Sequence, residues 1–108
     1  MKYDKLVRDK IPEIIAKTGK KCIVRTAGPT EYKDYLFKKI IEEVEELRAA
    51  STIDNVKEEV ADVFTVLCEI CKINNISFAE TVTNQIAKET KNGNFSKHII
   101  LMEVLDND

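Results

Sequence analysis

The feature that most limits how this chain can fold is an acidic pattern that occurs twice between Glu42 and Asp62. Glu42-Glu43-Val44-Glu45-Glu46-Leu47 is acid, acid, apolar, any, acid, apolar, and Glu58-Glu59-Val60-Ala61-Asp62-Val63 repeats it. On a helix, successive residues advance by about 100°. With Glu42 at zero, Leu36, Ile40, Val44 and Leu47 centre near about 160°, Glu43 falls at about 100° and Glu46 at about 40°. With Glu58 at zero, the second copy gives the same apolar centre, with Glu59 at about 100° and Asp62 at about 40°. Glu42, Glu45 and Glu58 point toward water. Each helix therefore carries an acid pair, i and i+3, on one shoulder of its apolar face. A hairpin of the two helices brings Glu43, Glu46, Glu59 and Asp62 to one side of their seam.

The rest of the chain supports such a hairpin. A long helix is expected over 31–50, with Thr30 as its cap. Ser51 to Asn55 breaks it, and Asp54 or Asn55 can cap a second helix over 56–73 with Val56, Val60, Val63, Leu67 and Ile70 on one face. The connector is so short that the two helices must run antiparallel. Ser77 with Glu80 reads as a capping box for a third helix, with Phe78, Val82 and Ile86 inward, ending near 91–94. A short helix over 10–18 follows Asp9, a candidate cap, and ends at Gly19. Residues 20–26 are β-prone, and 95–105 read as a strand pairing with 22–25 or as a helix extension. The expected fold is all-α: an antiparallel hairpin plus a third helix, with at most a minor β element. These 108 residues form one expected domain, 1–108. Two long helices and one medium helix make a thin layer, which a second copy would cover.

Composition narrows the partners. Lys and Arg number 17 against 19 Asp and Glu, a net charge of −2, which makes no electrostatic case for a nucleic acid polymer or an anionic membrane. No apolar run approaches the roughly 20 residues of a membrane helix. The opening Met1-Lys2-Tyr3-Asp4-Lys5 lacks the apolar core of a signal peptide, so a cytoplasmic address is expected. Three cysteines fit no disulfide framework. Cys68-Glu69-Ile70-Cys71 has no second pair to complete a zinc site, so both read as helix residues near the core. His98, the one histidine, is assigned no role.

Four close carboxylates repel one another unless a cation sits among them. Oxygen donors without His or Cys suit Mg²⁺, Mn²⁺ or Ca²⁺ rather than zinc, and Mg²⁺ commonly shares its shell with phosphates. The competing account is ordinary: glutamate is a good helix former, and Lys38–Glu42 and Lys39–Glu43 can pair at i, i+4. From the residues alone, both a divalent-metal site in a helical hairpin and a solvated acidic surface stay open.

The motif Lys39-Ile40-Ile41-Glu42-Glu43-x-x-Glu46, twelve residues, then Glu59-x-x-Asp62 resembles the all-α nucleoside triphosphate pyrophosphohydrolases of the MazG type. These are related to phosphoribosyl-ATP pyrophosphohydrolase and the dimeric dUTPases. Tyr3-x-Lys5-Leu6-Val7-Arg8-Asp9-Lys10-Ile11-Pro12 is similar to the opening of small members described as phosphoribosyl-ATP pyrophosphohydrolase-like. Lys88, Lys91 and Gly93-x-Phe95 resemble the family's basic segment. The resemblance implies hydrolysis of a nucleoside triphosphate to monophosphate and pyrophosphate, for nucleotide clean-up, with Mg²⁺ or Mn²⁺. It implies Glu43, Glu46, Glu59 and Asp62 as metal ligands, and Glu42 or Glu43 as the residue that positions the attacking water. It implies Lys39, Lys88, Lys91, Lys5 and Arg8 as substrate contacts, and a homodimer or homotetramer. Phosphoribosyl-ATP hydrolysis and a non-catalytic nucleotide-binding helical protein are the alternatives. The chain departs from the family in its basic segment, where Asn92 and Asn94 flank Gly93 in place of arginines. Its opening segment also departs from the phosphoribosyl-ATP enzymes themselves.

Overall fold

The computed structural model describes residues 2–106 and contains four helices and, among the described residues, no strand. They are α1 (Ile11–Ala16), α2 (Pro29–Ala49), α3 (Ile53–Ile73) and α4 (Phe78–Asn92). The protein is all-α. The chain divides into two compact units, one ending at Asn75 and one beginning at Ile76.

In the first unit, α2 and α3 form the expected antiparallel hairpin across residues 50–52. Tyr32 at the start of α2 donates its hydroxyl to Glu69 near the end of α3, at 3.3 Å. Each helix begins earlier than its pattern suggests. Pro29 occupies the first turn of α2 after Gly28, where a missing N–H costs nothing, so Thr30 lies inside the helix and does not cap it. Thr52, not Asp54 or Asn55, caps α3: its hydroxyl accepts from the Asn55 N–H at 3.1 Å. The cap is hard to choose from the pattern because four polar residues, Ser51, Thr52, Asp54 and Asn55, lie within five positions. Asp9 does not cap α1 either; Lys10 holds that position without a side-chain hydrogen bond. Gly19, at φ 86°, follows α1 as expected.

The hairpin seam is narrow and sits off the centre of the apolar arc. Leu36 (1% exposed) and Val66 (8%) are its buried apolar residues. Ile40, Leu47, Val56, Val63 and Ile70 are half-buried. Val44, Val60 and Leu67, expected on the inner face, are more than 40% exposed, along with Phe37, Ile41 and Phe64. On the helical wheel the buried residues lie near about 80–160°, and the exposed apolar ones near about 180–260°. Both helices are thus rolled about 40° toward their acidic shoulders, so the acids at about 100° enter the seam.

An extended segment before α1 is fastened to this hairpin. Tyr35 donates to the Asp4 carboxylate at 2.6 Å, Lys5 Nζ lies 3.4 Å from Glu42, and Arg8 reaches α3. Residues 20–26, read as β-prone, form no strand; Arg25 instead forks onto Glu31 of α2, and Ile23 is fully exposed. An isolated β-prone run has no ladder to join, so its backbone stays irregular.

In the second unit, Ser77 and Glu80 form the predicted capping box, with bonds of 3.1 and 3.2 Å. Gly93, at φ 85°, ends α4. Residues 98–106 are neither strand nor helix, and Ile99 to Met102 are each at least three-quarters exposed. None of the cysteines forms a disulfide; Cys68 and Cys71 are half-buried on α3.

Candidate functional site

The roll of the hairpin puts charge where a core should be. Glu43 of α2 is only 6% exposed, the single buried charged residue among those described. Glu59 of α3 is half-buried and faces it, and Glu46 is one turn further along α2. One carboxylate oxygen from each lies within 4.8 Å of the others. Two of the six oxygens, Glu43 Oε2 and Glu59 Oε2, are buried and have no hydrogen-bond donor. Unpaired buried carboxylate oxygens are costly, since the group loses its hydration and gains nothing in return.

The acids respond by holding protons. Burial is the first cause that pushes the Glu59 carboxyl up to about 7; the Glu46 charge and carboxyl–carboxyl contacts with Glu43 and Glu46 add to it. Glu43 is also raised, by burial first, against the opposing pull of Lys39. Lys39 Nζ lies 3.3 Å from Glu43 and 3.5 Å from Glu42, and is itself largely buried. One ammonium among these acids leaves the cluster short of positive charge. The donor set is all carboxylate and open on the Glu46 side, which fits a hard divalent cation that keeps water ligands.

The other sequence-derived residues fall into three groups. Asp62 is not part of the three-acid cluster. Arg8 Nη2 donates to Asp62 Oδ1 at 2.7 Å and to Thr65 Oγ1 at 3.2 Å. Glu42 is shared by Lys5 and Lys39. Lys88 and Lys91 are exposed on α4, in the second unit, whereas the cluster is built by the first unit alone.

Beside the cluster is a cavity of about 370 Å³ that the helical pattern alone did not suggest. Leu36, Lys39 and Glu43 of α2 line it, with Asp62, Val66 and Glu69 of α3, and the extended segment from Leu6 to Asp9 closes it. Tyr32, Thr65 and Glu69 were not singled out from the sequence. The available signal was spacing: Asp62, Val66 and Glu69 follow one another at i, i+4, i+7, as do Leu36, Lys39 and Glu43 at i, i+3, i+7. A more open hollow of about 530 Å³, lined by Pro29, Tyr32, Lys33 and Ile73 among others, has one charged residue and no acid.

No family model matches this chain, and no solved structure matches it. A Mycolicibacterium smegmatis protein described only as uncharacterized is 51% identical to it over 49 residues, 45% of this chain and 50% of that protein. The chain thus aligns with about half the length of the curated relative it matches. No helix among the described residues is long and apolar enough to cross a membrane.

Proposed function

We propose that the acid cluster holds a divalent cation, Mg²⁺ or Mn²⁺, and that the chain hydrolyses a nucleoside triphosphate to the monophosphate and pyrophosphate, as MazG-type enzymes do. The observation that carries this reading is the convergence of Glu43, Glu46 and Glu59 within 4.8 Å, with two buried oxygens lacking any donor. A plain solvated acidic face has no reason to bury Glu43 or to aim it at Glu59.

When bound, the cation would orient phosphate oxygens and lower the pKa of a water. Glu43 and Glu59 would hold the cation from the buried side, and Glu46 from the side nearest solvent. Asp62, now held by Arg8, would be free to join them if that guanidinium turned its fork to a phosphate, which it can grip as it grips a carboxylate. Glu42, held by Lys5 and Lys39, would accept a proton from the attacking water. Lys39, Lys5 and Arg8 supply the positive charge that a triphosphate needs. A second copy of the chain covers Phe37, Ile41, Val44, Val60 and Phe64, giving a homodimer or homotetramer.

The test is a nucleotide panel with Mg²⁺, phosphoribosyl-ATP included, measuring pyrophosphate against orthophosphate. Pyrophosphate release that Glu59→Gln abolishes supports the proposal; no pyrophosphate from any nucleotide, or full activity in Glu59→Gln, sinks it. A binding-only reading is favoured by one observation, the Arg8–Asp62 pair, which neutralises an acid of the motif. Calorimetric binding of a nucleotide with Mg²⁺ and no turnover would select it.

A further inference from the structure

The cavity beside the acid cluster is polarised along its length. At one end Arg8 and Lys39 bring cations to Asp62 and Glu43. Two turns further along α3 the wall carries the Glu69 carboxylate, joined to Tyr32 of α2, and Asp9 also lines the cavity, near enough to act on the Tyr32 hydroxyl. Between them the walls are apolar, from Leu36 and Val66. Asp62 and Glu69 are seven residues apart on α3, about 10 Å of helix axis, the span of one nucleoside. A volume of about 370 Å³ lies within the range of small-molecule sites.

Glu69 is held in place from both sides. Lys72 Nζ donates to its Oε1 at 3.0 Å, and that bond raises the Lys72 pKa. The Tyr32 hydroxyl donates to its Oε2 at 3.3 Å, and Tyr32 is raised by burial and by the Glu69 charge. An ionised carboxylate accepts only, through about four lone-pair sites. Two of these are used, so each oxygen can take one more donor.

We infer that Glu69 reads the base of the nucleotide and selects a guanine-type edge, with Tyr32 holding its carboxylate in position. This rests on the nucleotide reading of the acid cluster. Guanine presents a ring N–H beside an amino group, two parallel donors that match the two carboxylate oxygens. Hypoxanthine keeps only the ring N–H. Adenine and cytosine set an amino group beside a ring nitrogen lone pair, which a carboxylate repels. Uracil and thymine flank their N–H with two carbonyls, which it also repels.

The test is calorimetric titration of the whole chain, with Mg²⁺ present, using GMP, IMP, AMP, CMP and UMP. GMP binds more tightly than AMP by about 5- to 150-fold, the usual reach of one bidentate contact, and IMP falls between them. Glu69→Gln, which replaces one acceptor by a donor, removes the GMP preference or turns it toward AMP. Lys72→Gln keeps the carboxylate and keeps the ranking. Equal binding of GMP and AMP by the natural chain overturns the inference, as does a ranking that Glu69→Gln leaves unchanged. If triphosphates release pyrophosphate without any guanine preference, the base assignment alone falls. If no nucleotide binds or reacts, both it and the proposed function fall.

Discussion

Mg²⁺ should stabilise this protein strongly, and Glu43→Gln should take most of that stabilisation away while making the metal-free protein more stable. Three carboxylates lie within 4.8 Å of one another. Two unit charges at that separation repel by about 1 kcal/mol in bulk water and about 3.5 kcal/mol at an effective dielectric constant near 20. Between Glu43 and Glu46 the value tends to the lower figure, because Glu46 is exposed and Lys39, 3.3 Å from Glu43, opposes it. The net repulsion relieved by Glu43→Gln is therefore on the order of 1 kcal/mol, which raises the metal-free melting temperature by about 4–8 °C in a unit of this size.

The natural protein gains more from the cation itself. A ligand at a hundred times its dissociation constant stabilises the folded state by about 2.7 kcal/mol, or about 10–20 °C. Thermal unfolding after EDTA treatment, followed by titration with Mg²⁺, reads both effects. Glu45→Gln is the control: Glu45 is exposed and outside the cluster, so its Mg²⁺ response should equal that of the natural chain. If Glu43→Gln responds to Mg²⁺ as the natural chain does, or if Glu45→Gln loses the response equally, these carboxylates do not hold the metal.

The elevated acids make metal-free stability depend on pH. The Glu59 carboxyl is raised from 4.5 to about 7, so the folded state binds more protons than the unfolded state between those values. Its contribution is complete below about 4.5 and is lost as pH rises through about 7, so the metal-free melting temperature should fall across that window. Saturating Mg²⁺ should remove the fall, because the metal replaces those protons. Leu36→Ala, at the most buried apolar site, should cost about 2–5 kcal/mol by denaturant unfolding. Arg8→Gln frees Asp62 and should tighten Mg²⁺ binding measured by calorimetry without nucleotide, while raising the KM for the triphosphate. Phe37→Asp, at a half-exposed position, should leave a monomer folded but shift an oligomer toward monomer in sedimentation.

The hairpin was legible because each of its parts has a local cause. Heptad-like apolar spacing sets the two helices, and a connector of a few residues sets their direction. The capping box at Ser77 and Glu80 is readable for the same reason: it needs only residues three apart. The convergence of Glu43, Glu46 and Glu59 was legible through helical angle, which also brought in Asp62, an acid that Arg8 holds instead. What was not legible depended on contacts far apart in the chain. The pairing of Arg8 with Asp62 spans 54 residues, and no spacing rule connects them. Tyr32 and Glu69 meet only because the hairpin is antiparallel and in a particular register, which the pattern leaves undetermined. Residues 20–26 misled because β-propensity needs a neighbouring strand to act on, and Arg25 found a carboxylate instead.

One rotation links the acid cluster to the uncovered apolar surface. Rolling α2 and α3 back by about 40° would centre the apolar arc in the seam and bury Val44, Val60 and Leu67. The isolated hairpin would gain apolar burial, at about 25 cal/mol per Å². The same roll would carry Glu43 and Glu59 out to solvent, where their unpartnered oxygens would be hydrated and their pKa values would return to the ordinary range. The observed orientation is thus unfavourable on both counts for a single chain without ligands. It becomes favourable when something covers the apolar side and a cation enters the acidic side. The two requirements fall on opposite flanks of one seam, so each should strengthen the other. A partner that locks the roll pre-forms the acid cluster and tightens the metal, and by linkage the metal tightens the partner's hold to the same degree. Measured together, self-association should be stronger with Mg²⁺ than with EDTA, and Glu43→Gln should erase that difference while leaving the metal-free association in place.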